Sequence, residues 1–138
     1  MKPPKELVRR ARWVLWIGAL LVVFYLMMRF ESVRLPEGSC SPLRSLPAGS
    51  RLWIDRWPPA VGETDVVLFR DPGPDGDGAL LLGRVESAPD SLDADSLREL
   101  ESGALWIVGD NSDCPLRDSR LFGPVERDAV EGKLILSF

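Results

Sequence analysis

Sixteen consecutive uncharged residues, Trp13 to Met28 (WVLWIGALLVVFYLMM), constrain this chain more than any other feature. So much apolar surface costs free energy in water and has to be covered by protein or by lipid. A helix that crosses a bilayer takes about 17–25 residues. Arg12 and Arg29, at the two ends of the run, extend it by snorkelling their charged heads toward the interfaces. Trp13, Trp16 and Tyr25 lie toward the ends, where amphipathic rings settle. Lys2, Lys5, Arg9, Arg10 and Arg12 precede the run, which orients the N-terminus to the cytoplasm. The chain therefore divides into a basic cytoplasmic N-terminus (1–12), a transmembrane signal anchor (13–29) and an exported body (30–138). Two other readings stay open. A cleaved signal peptide requires a small-x-small site, whereas RFESVRLPEG follows the run. A buried core helix would not carry charged and proline-rich flanks of this kind. The expected location is the plasma (inner) membrane, single-pass, with the C-terminal domain extracytoplasmic.

Charge is distributed as unevenly as hydropathy. The chain has 138 residues and a net charge of -4, yet residues 1–12 carry +4, leaving -8 for the rest. An acidic body offers no footprint for nucleic acid, so no nucleic-acid partner is expected. There is no histidine, which excludes imidazole bases and removes the commonest metal ligand. Two cysteines without histidine do not close a zinc site, so neither a metal nor a cofactor is expected.

The exported body reads as mainly β. Arg51 to Asp55 alternates polar and apolar residues as a half-buried strand does. Asp65–Phe69, Ala79–Leu82 continuing to Val85, Ala104–Val108 and Leu134–Leu136 are further strand candidates. DPGPDGDG (71–78) has the turn residues of a hairpin loop. Within the acidic, serine-rich stretch 87–103, Asp95 to Leu100 predicts a short capped helix. About 109 residues suffice for one small β domain.

Three motifs stand out. Gly38-Ser39-Cys40-Ser41-Pro42 follows the anchor by about ten residues. Leu82-Gly83-Arg84-Val85 with Pro89 forms a second box, and Gly109-Asp110-Asn111 with Asp118-Ser119-Arg120 and Gly123 forms a third. Together they resemble the type I signal peptidase family, membrane-anchored Ser/Lys peptidases. That family places its nucleophile in a Ser-Met-x-Pro signature just outside the bilayer, and its catalytic lysine in a Lys-Arg-Val box. It ends with Gly-Asp-Asn followed by Asp-Ser-Arg and glycine. The resemblance covers residues 35 to 137. It implies a single transmembrane helix followed by a small signal-peptidase-like antiparallel β domain. Ser39 takes the nucleophile's place and Cys40 that of the methionine.

Gly83 stands where the resemblance puts the lysine base. A serine hydroxyl is a poor nucleophile until a base takes its proton. The lysines here are Lys2, Lys5 and Lys133, and the guanidinium of Arg84 does not deprotonate. A glycine in a strand weakens pairing and leaves a space that a lysine or ligand from another chain would fill. In the third box, Asp110 and Asn111 are suited to fix a turn. Asp118 and Arg120, together with Arg84, are suited to an ion-pair lattice, with Ser119 between them. The family fold brings the two cysteine-bearing loops together, so the resemblance implies a Cys40–Cys114 disulfide in the oxidising exported space. Trp53, Trp57 and Trp106 read as core or rim residues, or else as an apolar platform.

Two functions follow from the resemblance. One is a signal peptidase that cleaves signal peptides from exported proteins through Ser39. The other is a catalytically degenerate relative that binds exported peptides or pilin-like partners as an assembly factor or subunit. The implied partners are an exported precursor or signal peptide, membrane lipid and another membrane subunit.

Overall fold

A computed structural model of the chain describes residues 4–35, 40–58, 60–74, 78–115 and 117–138. A long apolar helix, α1 (Lys5–Arg29), leads directly into β1 (Phe30–Arg34). The body continues with β2 (Arg51–Asp55), β3 (Val66–Arg70), β4 (Leu80–Val85), α2 (Ala94–Glu101), β5 (Ile107–Val108), α3 (Ser119–Phe122) and β6 (Val130–Ser137). The strands form one six-stranded sheet in the order β1-β2-β6-β3-β4-β5. Every neighbouring pair is antiparallel. An N-terminal apolar helix followed by an antiparallel β domain is the expected fold class.

The helix is long enough to cross a membrane. Within Glu6–Arg29, no residue of its most apolar 18-residue window is buried by the protein. At about 1.5 Å per residue, the 24 residues of that stretch exceed the roughly 30 Å hydrocarbon core. Together with the disulfide described below, this helix marks a membrane-anchored or exported domain.

Alternation along the strands divides the core between the two faces of the sheet. Leu52, Ile54, Leu68 and Leu82 point to one face, where Leu43 and Leu46 from the β1–β2 connection cover them. Val67, Phe69 and Val85 point to the other, against Leu105, Ile107 and Val125. Phe122 from α3 meets Phe69 edge-on there, with ring centroids 6.3 Å apart. Gly132 on β6 lies where a Cβ would come within 2.2 Å of Ile54 Cγ2 and 2.8 Å of the Asp55 carbonyl. Only glycine lets those strands approach so closely.

Several elements differ from the sequence expectation. The Ala104–Val108 candidate shrinks to Ile107–Val108, with Leu105 bridging singly to Val125. Gly103 at φ +106° turns the chain just before it. The last strand is longer than Leu134–Leu136 and begins at Val130. The short helix starts one residue early, where the Asp93 side chain accepts a hydrogen bond from the Ser96 amide and caps it. β1 carries Glu31, Ser32 and Arg34 and has no apolar alternation; its place comes from pairing with β2. The proposed hairpin joins β3 to β4, although residues 75–77 of its loop lie outside the described residues.

Candidate functional site

The Ser-Cys-Ser-Pro loop and the Gly-Asp-Asn turn are in direct contact. Ser39 and Gly38 lie outside the described residues, but from Cys40 onward the loop is held at many points. Cys40 and Cys114 form a disulfide, with their Cα atoms 5.5 Å apart. The carbonyl of Pro42 accepts hydrogen bonds from the amides of both Asp110 and Asn111, each at 3.0 Å. In return the Arg44 amide donates to Asp110 Oδ1 at 2.7 Å, and Arg44 Nη2 reaches Ser112 Oγ at 3.2 Å. Asn111 Nδ2 donates to the Ser41 carbonyl at 2.8 Å and lies 3.2 Å from Cys114 Sγ. Beneath these contacts Leu43 is fully buried in the first core cluster. The outer surface is an open depression of about 510 Å³ lined by Cys40, Ser41, Arg44, Pro47, Ala48 and Asn111.

A second network supports the Gly-Asp-Asn turn from below. Asp118 caps α3 by accepting from the Arg120 amide at 3.0 Å, and it also accepts from the Gly109 amide at 3.0 Å. Arg120 closes the ring by pairing with the Asp118 carboxylate and donating from Nη2 to the Gly109 carbonyl at 2.8 Å. Ser119, almost fully buried, accepts from the Ile107 amide at 2.8 Å. Asp118, Ser119 and Arg120 thus fix both ends of the segment that becomes the turn. Burial works against the charge of Asp118, but hydrogen bonds from Arg120 and the Gly109 and Arg120 amides outweigh it. Its carboxyl is held below the usual aspartate range.

Arg84 stands apart from that ring. Its Nη1 donates to the Thr64 carbonyl at 3.1 Å, and Thr64 occupies a left-handed turn at φ +72°. The expected lattice of Arg84, Asp118 and Arg120 therefore closes on Asp118, Arg120 and Gly109 without Arg84. What Arg84 steadies is the turn before β3.

The open space expected at Gly83 is not there. A Cβ on Gly83 would come within 2.4 Å of Ile107 Cγ2, 3.3 Å of the Val108 carbonyl and 3.4 Å of Phe69 Cε1. Gly83 pairs with Val67 across β3 and faces the second core cluster. Leu43 and Leu46, next to the Ser-Cys-Ser-Pro motif, belong to the first. A side chain at position 83 would enter the core on the face away from Leu43. The glycine is a packing requirement of the β4–β5 contact.

Lys133, the lysine of the exported body, sits on β6 with its Nζ 2.8 Å from Asp65 Oδ2. Asp65 is held below the usual range: its burial opposes the charge, and the Gly62 amide and Lys133 together outweigh it. That ion pair commits the Lys133 side chain to Asp65. Among the described residues no group of histidine, cysteine and carboxylate side chains is arranged to hold a metal ion.

Sequence reasoning missed three connections. One is the grip of Arg44 on Asp110 and Ser112. Another is a pair in which Arg117 holds the buried Asp71 at the start of the β3–β4 loop. The third is the joint of Arg29 with Asp55 at the end of α1. Each links residues far apart in the chain, and three of the hydrogen bonds between the two loops run to backbone carbonyls, which leave no mark in a sequence.

No protein-family model matches the chain, and no curated protein matches it.

Proposed function

We propose that this chain is a membrane-anchored relative of the type I signal peptidases that holds exported peptides at the bilayer surface without cleaving them by a Ser–Lys dyad. The reading rests on one observation above all: a Cβ at position 83 would lie 2.4 Å from Ile107 Cγ2, so a side chain there requires the core to shift. Loss of a general base costs about 10²–10⁴ in rate. The two loops are held together nonetheless. The disulfide, the Pro42 carbonyl and the Asp118–Arg120 ring hold the Ser-Cys-Ser-Pro loop against the Gly-Asp-Asn turn. A scaffold so firmly braced suits capture of an extended peptide in the depression beside Cys40 and Arg44. Anchoring adds to this. A partner emerging from the same bilayer meets the site at a fixed height, which lowers the entropy lost on encounter. In this reading the anchor sits in the inner membrane with its N-terminus cytoplasmic, and the bound partner is an exported precursor, a signal peptide or a pilin-like subunit.

The retention of a serine at position 39 in the motif favours a second reading, hydrolysis through Ser39 with a base supplied by another membrane subunit. The two are separated by incubating the full chain in detergent with an exported precursor peptide, beside a Ser39→Ala variant. Retention of intact peptide by both proteins supports capture. Cleavage that disappears in the variant supports hydrolysis.

A further inference from the structure

The two sulfurs of the Cys40–Cys114 bridge stand in unlike surroundings. Cys40 is exposed and lines the open depression together with Arg44 and Asp113. Its Sγ has one polar neighbour, the Asp113 carbonyl, 3.8 Å away. Cys114 is buried, at 7% exposure. Its Sγ lies 3.1 Å from the Ser41 carbonyl and 3.2 Å from Asn111 Nδ2. The Asn111 amide is oriented by two further bonds. Oδ1 accepts from the Asp113 amide at 3.3 Å, and Nδ2 donates to the Ser41 carbonyl at 2.8 Å. Nδ2 carries two hydrogens, so the second is available to Cys114.

A sulfur in a disulfide has no hydrogen to donate and accepts only weakly. The oxidised bridge therefore gains little from either neighbour of Cys114. The reduced sulfur gains from both. As a thiolate, Cys114 would accept a charge-assisted bond from Asn111. As a thiol, it would donate to the Ser41 carbonyl. The surroundings of Cys114 suit a departing sulfur, and those of Cys40 suit one that is attacked.

We propose that Cys40 is a thiol-exchange site, at which an exported thiol forms a mixed disulfide while Cys114 departs. The inference requires the domain to be exported and is independent of peptide capture. An incoming thiol first loses its proton to water. Its thiolate attacks Cys40 Sγ, a new S–S bond forms there, and the Cys40–Cys114 bond breaks. The electron pair leaves on Cys114, so the incoming sulfur is oxidised as Cys114 is reduced. Cys114 then takes a proton from water. The return step is attack by the Cys114 thiolate on Cys40, which expels the guest and restores the bridge. Exchange rates follow access and the stability of the leaving thiolate, and both direct attack to Cys40. Arg44 and Asp113 carry opposite charges at the depression, so access rather than net charge selects the sulfur.

The test incubates the full chain in detergent with an excess of reduced glutathione or, separately, of a peptide bearing one cysteine. Samples are quenched in acid, free thiols are alkylated, and the sites are mapped by mass spectrometry. Singly exchanged protein is expected to carry the guest on Cys40 and the alkyl group on Cys114. Reaction with glutathione alone assigns the site to small thiols, and reaction with the peptide alone assigns it to cysteine-bearing polypeptides. Guests shared evenly between the two sulfurs, or found on Cys114, overturn the proposal. So does a folded chain that exchanges with neither probe while the denatured chain does. Asn111→Ala should slow exchange by about tenfold, because the leaving thiolate loses a bond. An unchanged rate overturns the part given to Asn111.

Discussion

Ile107 Cγ2 lies 2.4 Å from the point where a Cβ on Gly83 would sit, so these two residues exclude each other's side chains. That contact separates the architecture of this domain from the Ser/Lys chemistry that its motifs resemble. A lysine cannot be restored at position 83 without rebuilding the β4–β5 contact.

Gly83→Ala is therefore expected to destabilise the domain by about 1–3 kcal/mol through overpacking. Gly83→Lys should cost more, because it also buries an amine in the second cluster, and should confer no peptide cleavage. Ile107→Ala alone opens a cavity at a cost of about 2–5 kcal/mol. The double variant Gly83→Ala with Ile107→Ala should be more stable than the sum of the two losses implies, because the residues touch. Denaturant unfolding of the four proteins in one detergent measures this coupling. Strict additivity would mean that the contact is relaxed in solution.

The Cys40–Cys114 bridge closes a segment 74 positions long. The unreduced, denatured protein should show no reactive thiol. Reduction, or Cys114→Ser paired with Cys40→Ser, should lower stability by about 2–5 kcal/mol. Residues 41–44 also hydrogen-bond to Asp110 and Asn111, contacts that do not involve the sulfur atoms. The loss should thus be larger for peptide retention than for the overall fold. Two free thiols in the unreduced chain would contradict the pairing.

Acid should weaken the fold in a defined window. Asp55 and Asp71 ionise more easily in the folded protein, chiefly because Arg29 and Arg117 bond them. In Asp65 and Asp118 burial opposes ionisation, and hydrogen bonding prevails. Carboxyls with depressed folded values contribute stability above the unfolded value of about 3.9, and lose it as pH falls through the folded one. No histidine titrates in between. Thermal midpoints should be nearly constant from about pH 8 to 5 and fall below about pH 4. Asp71→Asn should flatten part of that fall. A midpoint that rises on acidification below pH 4 would contradict the assignment.

The strands with clean alternation were legible in the sequence, Arg51–Asp55 most clearly, because one-sided burial writes a period of two. A short helix was legible at Asp95–Leu100, but its cap, Asp93, was not. β1 was not, because an edge strand buries little and its residues answer to their partner strand rather than to a core. In the site, the cysteines and the Asp118–Arg120 ring have sequence signals. The filled volume at Gly83 has none, since it depends on Ile107 arriving from a strand 24 positions later. A missing side chain in a sequence does not distinguish an empty place from one another residue has taken.

The most direct test of the central claim is the fate of an exported precursor peptide incubated with the full chain, followed by mass spectrometry of bound and free fractions. The account predicts that the peptide is retained uncut, at a level that Ser39→Ala leaves unchanged. Two product fragments from the native chain, absent with Ser39→Ala, would contradict it.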